Sequence, residues 1–206
     1  MGRVCDEVSR QAVPQLAPFV SQESMNYFLT SERLGFRNWT AEDEPLALEL
    51  WCDPEVTKYI GGPWGADVAR ARLAVEMNLL DQHGIQYWPV FLLEDGRHVG
   101  CAGLRPYPSE EKTYEMGIHL RPGFWGQGFA REAAHAVMNY AFHSTDAGAL
   151  ITGHHPQNVA SRQLLKRLGF TFIEERFYAP TGLMHPMYLL RREQAVAQQA
   201  ALGDLL

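Results

Sequence analysis

Thr113-Tyr114-Glu115-Met116-Gly117-Ile118-His119-Leu120 runs through Arg121-Pro122-Gly123-Phe124 into Trp125-Gly126-Gln127-Gly128-Phe129-Ala130 and an alanine-rich stretch. The first eight residues read as a strand. After the glycines, Phe129, Ala130, Ala133, Ala134, Val137, Met138, Ala141 and Phe142 recur at helical spacing, with Arg131, Glu132, His135 and Asn139 facing the other way. A Gly-x-Gly-x-Ala turn thus joins a strand to a long amphipathic helix. Such a turn can cradle a pyrophosphate. Small residues let the backbone approach the ligand, the first helical N–H groups lack an intrahelical acceptor, and the helix dipole attracts the anion. The mechanical alternative is a tight connection that also permits close helix packing.

Upstream, residues 34–39 alternate as a first strand, and Thr40 caps a helix reaching Asp53-Pro54. Gly61-Gly62-Pro63 is a break, and from Asp67 a second helix places Val68, Ala71, Val75 and Leu79 at helical spacing. Strands 87–93 and 98–104 flank the hairpin signal Asp95-Gly96, and Pro106 and Pro108 mark a loop. Downstream come strand 149–152, a helix opened by Asn158 and stopped by Gly169, and strands 170–177 and 184–190. The order β-α-α-β-β-β-α-β-α-β-β predicts a mixed α/β domain, with helices covering a largely antiparallel sheet. Residues 1–29 read as an N-terminal extension, 30–192 as the domain and 193–206 as an Ala/Gln-rich tail.

A length of 206 residues suits one domain, and 46% hydrophobic with 20% charged residues is an ordinary globular composition. No stretch approaches the roughly 18 apolar residues of a membrane span. Asp6, Glu7, Pro14 and Pro18 do not fit a secretory leader, so a cytoplasmic protein without a membrane partner is expected. Cys5, Cys52 and Cys101 form neither a disulfide framework nor a metal pattern, and His154-His155 with His185 lacks metal-ligand spacing; no metal is expected. A net charge of −6 argues against nucleic acid as partner and is compatible with a cationic substrate such as an amine. Nothing in the sequence separates a monomer from a homodimer.

No Lys-Ser or Lys-Thr follows the glycine turn, which excludes a P-loop; the absence of a repeated βαβ unit argues against a dinucleotide fold. The strand, glycine turn and helix, followed by strand, Asn-x-x-Ser helix and Leu-Gly-Phe, resemble the acetyl-CoA site of the GNAT acetyltransferases. The resemblance extends to their ribosomal-protein N-terminal acetyltransferase (RimJ/RimL-like) subgroup. Thr30-Ser31-Glu32-Arg33-Leu34 with Phe36-Arg37 and Thr40-Ala41-Glu42-Asp43 is similar to that subgroup's first strand and helix. Pro54-Glu55-Val56-Thr57-Lys58-Tyr59-Ile60, Tyr114-Glu115-Met116-Gly117-Ile118, residues 125–130, Asn158-Val159-Ala160-Ser161 and Lys166-Arg167-Leu168-Gly169-Phe170 follow in the subgroup's order.

The resemblance implies a GNAT-like fold with a sheet of about seven strands, the fourth and fifth (113–120 and 149–152) splaying apart. It implies acetyl-CoA as co-substrate and transfer of its acetyl group to a primary amine, on a protein N-terminus or a small molecule. Trp125, Gly126, Gln127, Gly128, Phe129 and Ala130 would hold the pyrophosphate. Ile118, His119 and Leu120 would line the pantetheine arm, with an oxyanion donor near Leu120. Asn158 would bond the pantetheine or cap its helix, or both. Ser161 would assist the leaving thiolate, since the tyrosine that many GNAT enzymes place seven residues after the asparagine is Leu165 here. Glu115 is the candidate base, with His119, His154, His155 or water as alternatives. Trp64, after the 61–63 break, either covers the acceptor amine or packs on a helix. Two other readings stay beside this one: a non-catalytic acyl-CoA sensor on the same fold, and a different acyl donor such as succinyl-CoA.

Overall fold

Side chains alternate along the strands and reach two separate cores, one on each face of a single sheet. The computed structural model describes residues 26–109 and 112–203. Its strands are β1 (Leu29–Thr30), β2 (Leu34–Phe36), β3 (Tyr87–Leu92), β4 (His98–Pro106), β5 (Thr113–Leu120), β6 (Ala149–Gly153), β7 (Thr171–Tyr178) and β8 (Leu183–Arg191). The helices are α1 (Glu44–Trp51), α2 (Pro54–Thr57), α3 (Ala66–His83), α4 (Phe129–Ser144), α5 (Val159–Arg167) and α6 (Arg192–Gly203). The strands form one open sheet in the order β1-β2-β3-β4-β5-β6-β8-β7. Every pairing is antiparallel except β5 with β6. On one face, Trp88, Leu104, Met116 and Leu150 pack with Val137 of α4 and Leu165 of α5. On the other, Tyr87 and Cys101 pack with Leu50 and Trp51 of α1 and Leu73 of α3.

The parallel pair is short. Thr113, Tyr114 and Glu115 pair with Ala149, Leu150 and Ile151. Beyond Glu115, β5 continues to Leu120 along β4, while β6 continues along β8 to Gly153. The two strands diverge, and among the described residues, 116–120 have no strand neighbour on that side, which is the splay the resemblance implies.

The sheet has eight strands rather than about seven, because Leu29 and Thr30 pair with Phe36 and Gly35. The remainder of the expected extension, residues 1–25, lies outside the described residues. The predicted strand 34–39 stops at Phe36; Trp39 turns into the second core and donates its Nε1–H to the Tyr87 carbonyl at 2.7 Å. The predicted helix up to residue 53 divides into a 3₁₀ turn (Ala41–Asp43) and α1. Asp43 sets that division. Its carboxylate accepts the Thr40 N–H at 2.9 Å and the Arg37 guanidinium fork at 2.6 Å. A second departure concerns α3, whose buried residues are Ala69, Leu73 and Glu76, whereas Val68 and Val75 are exposed. Ion pairing to Glu76 lets the helix turn this face inward instead of its valines. The tail forms α6.

Candidate active site

The glycine turn is held from both ends. Trp125 donates its Nε1–H to the Leu120 carbonyl at 2.8 Å, and the Gln127 side chain donates to the Gly123 carbonyl at 2.9 Å. Gly126 and Gly128 have φ of +74° and +85°, a region where a Cβ strains the backbone. Space is open here: a Cβ on Gly126 would meet nothing within 4 Å, and one on Gly128 only the Arg33 guanidinium at 3.5 Å. Gly128 caps α4, and its carbonyl accepts the amides of Arg131 and Glu132. The amides of Gly126 to Ala130 have no acceptor among the described residues. That fits an anion such as a pyrophosphate. Arg33 flanks the turn, with its guanidinium 4.3 Å from the Phe129 ring centroid and paired with Glu132 at 2.6 Å.

At the other side of the splay, Asn158 caps α5: its Oδ1 accepts the Ser161 N–H at 3.0 Å. The capping role therefore exists, and it leaves the amide NH₂ of Asn158 available to a ligand. Ser161 is half-buried one turn into α5. Leu165 is buried in the α4-side core, so the position that carries a tyrosine in many GNAT enzymes serves packing here.

Glu115, His119 and Gly117 share the opposite face of β5, toward α1 and α3. Gly117 is there because the Tyr87 ring lies on it; a Cβ would fall 2.3 Å from the ring. His119 accepts the Trp51 Nε1–H on Nδ1 at 3.3 Å, which places its own proton on Nε2. Burial, with Arg72 and Arg105 adding, pushes its pKa down to about 3. It is a neutral wall residue at any ordinary pH. Glu115 stands opposite Arg105 in the β4–β5 register and is partly exposed. No ion pair to Glu115 forms among the described residues.

A buried charge cluster lies beside Glu115, and sequence reasoning missed it. Glu76, fully buried on α3, accepts Arg72 Nε at 2.7 Å, the Arg105 guanidinium, and the Tyr87 N–H at 2.9 Å. Arg105 lies 4.5 Å from the Tyr87 ring centroid. Tyr178, at the end of β7, feels Arg72, Glu115 and Arg105, and burial raises its pKa. The one available signal was a glutamate four residues after an arginine on a helix, with Ala69 and Leu73 on its face. His154 and His155 are both buried: His154 stacks on Tyr188, and His155 contacts Tyr59 and His185. Burial lowers the pKa of His154. These histidines form a wall between α2 and the β7–β8 hairpin. Trp64 packs against the α1–α3 core. Among the described residues, no group of three or more His, Cys, Asp or Glu could hold a metal ion, and no helix is long and apolar enough to cross a membrane.

This arrangement has relatives. Residues 33–171 match the model of the acetyltransferase (GNAT) domain. The uncharacterized N-acetyltransferase p20 of Bacillus licheniformis is 33% identical over 144 residues, covering 69% of this chain and 81% of its own. An FsC-acetyl coenzyme A-N(2)-transacetylase of Aspergillus fumigatus is 32% identical over 146 residues, 66% of this chain and 61% of its own. Among solved structures, a GNAT-family acetyltransferase from Bacillus anthracis superposes with a TM-score of 0.69 at 25% identity, over 80% of this chain and 98% of its own. RimL, a ribosomal alpha-N-protein acetyltransferase solved with coenzyme A, superposes at 0.66 with 18% identity over 80% of this chain and 97% of its own, a likeness of fold. With a family model spanning two thirds of its length, the chain belongs to the GNAT family and is an acetyltransferase.

Proposed function

We propose that the chain moves an acetyl group from acetyl-CoA to a primary amine by direct attack within a ternary complex. The observation that carries this reading is the free edge of β5 beside the unpaired amides of the glycine turn. The donor supplies the acetyl group as an activated thioester. The amides of Gly126 to Ala130, with the α4 N-terminus behind them, neutralise pyrophosphate charge, and Trp125 fixes the turn against β5. Residues 116–120 offer main-chain groups to the pantetheine arm, lined by Ile118, His119 and Leu120, with Asn158 bonding it across the gap. A main-chain N–H near Leu120 stabilises the oxyanion. Glu115 takes a proton from the substrate ammonium, directly or through water, which frees the amine lone pair for attack, and Ser161 Oγ donates to the departing thiolate. His119 is too weak a base for the first task. RimL acts on a ribosomal protein, and the Aspergillus enzyme's name specifies an N(2) position; both kinds of amine belong in the acceptor screen.

The test is thiol release from acetyl-CoA with a panel of small amines and N-terminal peptides, with products scored by mass. Glu115→Gln is expected to lower kcat/KM by about 10²–10⁴-fold with CoA affinity intact. CoA binding without thiol release across the whole panel would favour the sensor reading.

A further inference from the structure

Arg72 and Arg105 share one carboxylate. Glu76 Oε1 accepts Arg72 Nε at 2.7 Å and also the Arg105 guanidinium, while Oε2 is taken by the Tyr87 amide. Two guanidinium groups and one carboxylate leave a net positive charge. Both arginine side chains are largely withdrawn from water, 16% and 21% exposed. Part of their donor capacity is nevertheless unspent. Among the described residues the terminal nitrogens of Arg72 make no hydrogen bond, and Arg105 Nε is buried without a partner. Glu115, across the strand pair from Arg105, is likewise without an ion-pair partner. The hydroxyls of Tyr87 and Tyr178 lie in the fields of Arg72, Arg105 and Glu115. Arg72, Arg105 and Glu115 therefore all lie around the Tyr87 and Tyr178 hydroxyls, on the α1–α3 side of β5.

We infer that the acceptor is an amino acid-type zwitterion, with its amine held by Glu115 and its free carboxylate bound by Arg72 supported by Arg105. This inference rests on the acetyl-transfer reading and narrows its substrate. A planar carboxylate suits the fork geometry of guanidinium, which lysine would not offer. A polyamine or simple alkylamine would satisfy Glu115 and leave the arginines desolvated and unmatched, so the same residues that admit amino acids discriminate against cations.

The experiment compares free amino acids, both α- and ω-amino, with their carboxamides and with spermidine. Acetyl-CoA turnover is followed by thiol release, and thermal protection of the CoA-saturated protein is measured in parallel. Acids are expected to exceed amides by about tenfold or more in kcat/KM, and to raise Tm where amides do not. Arg72→Gln leaves Glu76 two of its three partners. It should retain wild-type CoA affinity and lose the acid-over-amide preference. Equal turnover of acids and amides by the wild type, or a preference that survives both Arg72→Gln and Arg105→Gln, overturns the inference and leaves acetyl transfer standing. If no amine is acetylated although CoA binds, the transfer reading fails instead. The Tm shifts then decide the carboxylate site: protection by acids alone upholds it, and no difference overturns it.

Discussion

Glu76 shows how much one residue can organise. It is fully buried, and its carboxylate gathers a helix (Arg72), a strand (Arg105) and a main-chain amide (Tyr87) at one point. Removing it leaves two largely buried guanidinium groups without the carboxylate that joins them. Glu76→Ala should therefore destabilise the fold by about 3–5 kcal/mol, read as a lowered urea midpoint. Glu76→Gln, which keeps an acceptor oxygen, should fall between that variant and the wild type. Residues of this kind are hard to see in a sequence. Arg72, Glu76, Tyr87, Arg105 and Glu115 spread over four elements, and only the first two share a local period. Apolar periodicity even pointed to Val68, Ala71, Val75 and Leu79 as the inner face of α3, because a pattern of hydrophobicity cannot weigh a charge whose partners lie on other strands. The glycine turn at Gly126 and Gly128 and the cap at Asn158 were legible for the opposite reason: their signals are local turn and cap chemistry, which needs no tertiary partner.

Among the elements, the turn into α4 carries the sharpest expectation. Gly128→Val puts a branched side chain on a backbone with φ of +85°, beside the Arg33 guanidinium and over the unpaired amides. The local strain is of the order of 1–3 kcal/mol, which a folded domain tolerates with a lowered Tm. CoA affinity by calorimetry should fall by about tenfold or more, since the branched group crowds the pyrophosphate position. Unchanged affinity would sink the assignment of the turn. The apolar face of α4 matched its periodic pattern closely: Phe129, Ala133, Ala134, Val137, Met138, Ala141 and Phe142 are all buried. A long, regular helix against a sheet declares itself. The two-residue β1 does not, because so short a strand has no alternation to show.

For the whole molecule, acid sensitivity follows from histidines held neutral inside it. His98 lies between the rings of Trp39 and Phe91 with neither ring nitrogen hydrogen-bonded among the described residues, and burial pushes its pKa down to about 4 from 6.5. Unfolding restores the ordinary value. Between pH 4 and 6.5 the unfolded chain then binds more protons than the folded one, so stability is complete above that window and drains away as pH falls through it. The slope is at most about 1.4 kcal/mol per pH unit for each such histidine, and His119 adds to it. Asp43 and Glu132, whose pKa values are lowered by their arginine partners and hydrogen bonds against the effect of burial, contribute stability that is lost at still lower pH. His98→Phe keeps the aromatic packing and removes the titration. Its urea midpoint should drop less between pH 7 and pH 5 than that of the wild type; an identical drop would assign the acid sensitivity elsewhere.

Only three residue pairs connect β5 to β6 along their shared edge, so the sheet has a seam between its first five strands and its last three. On the proposed function, the donor's arm enters that seam as a strand the chain does not encode. The domain is then most cohesive when loaded: by mass action, ligand at 100 times its Kd adds about 2.7 kcal/mol of stability. Amide hydrogen exchange at residues 116–120 should slow on CoA addition while β2 and β3 stay unaffected. The co-substrate thus doubles as a clasp, and an enzyme starved of it is the form most exposed to proteolysis.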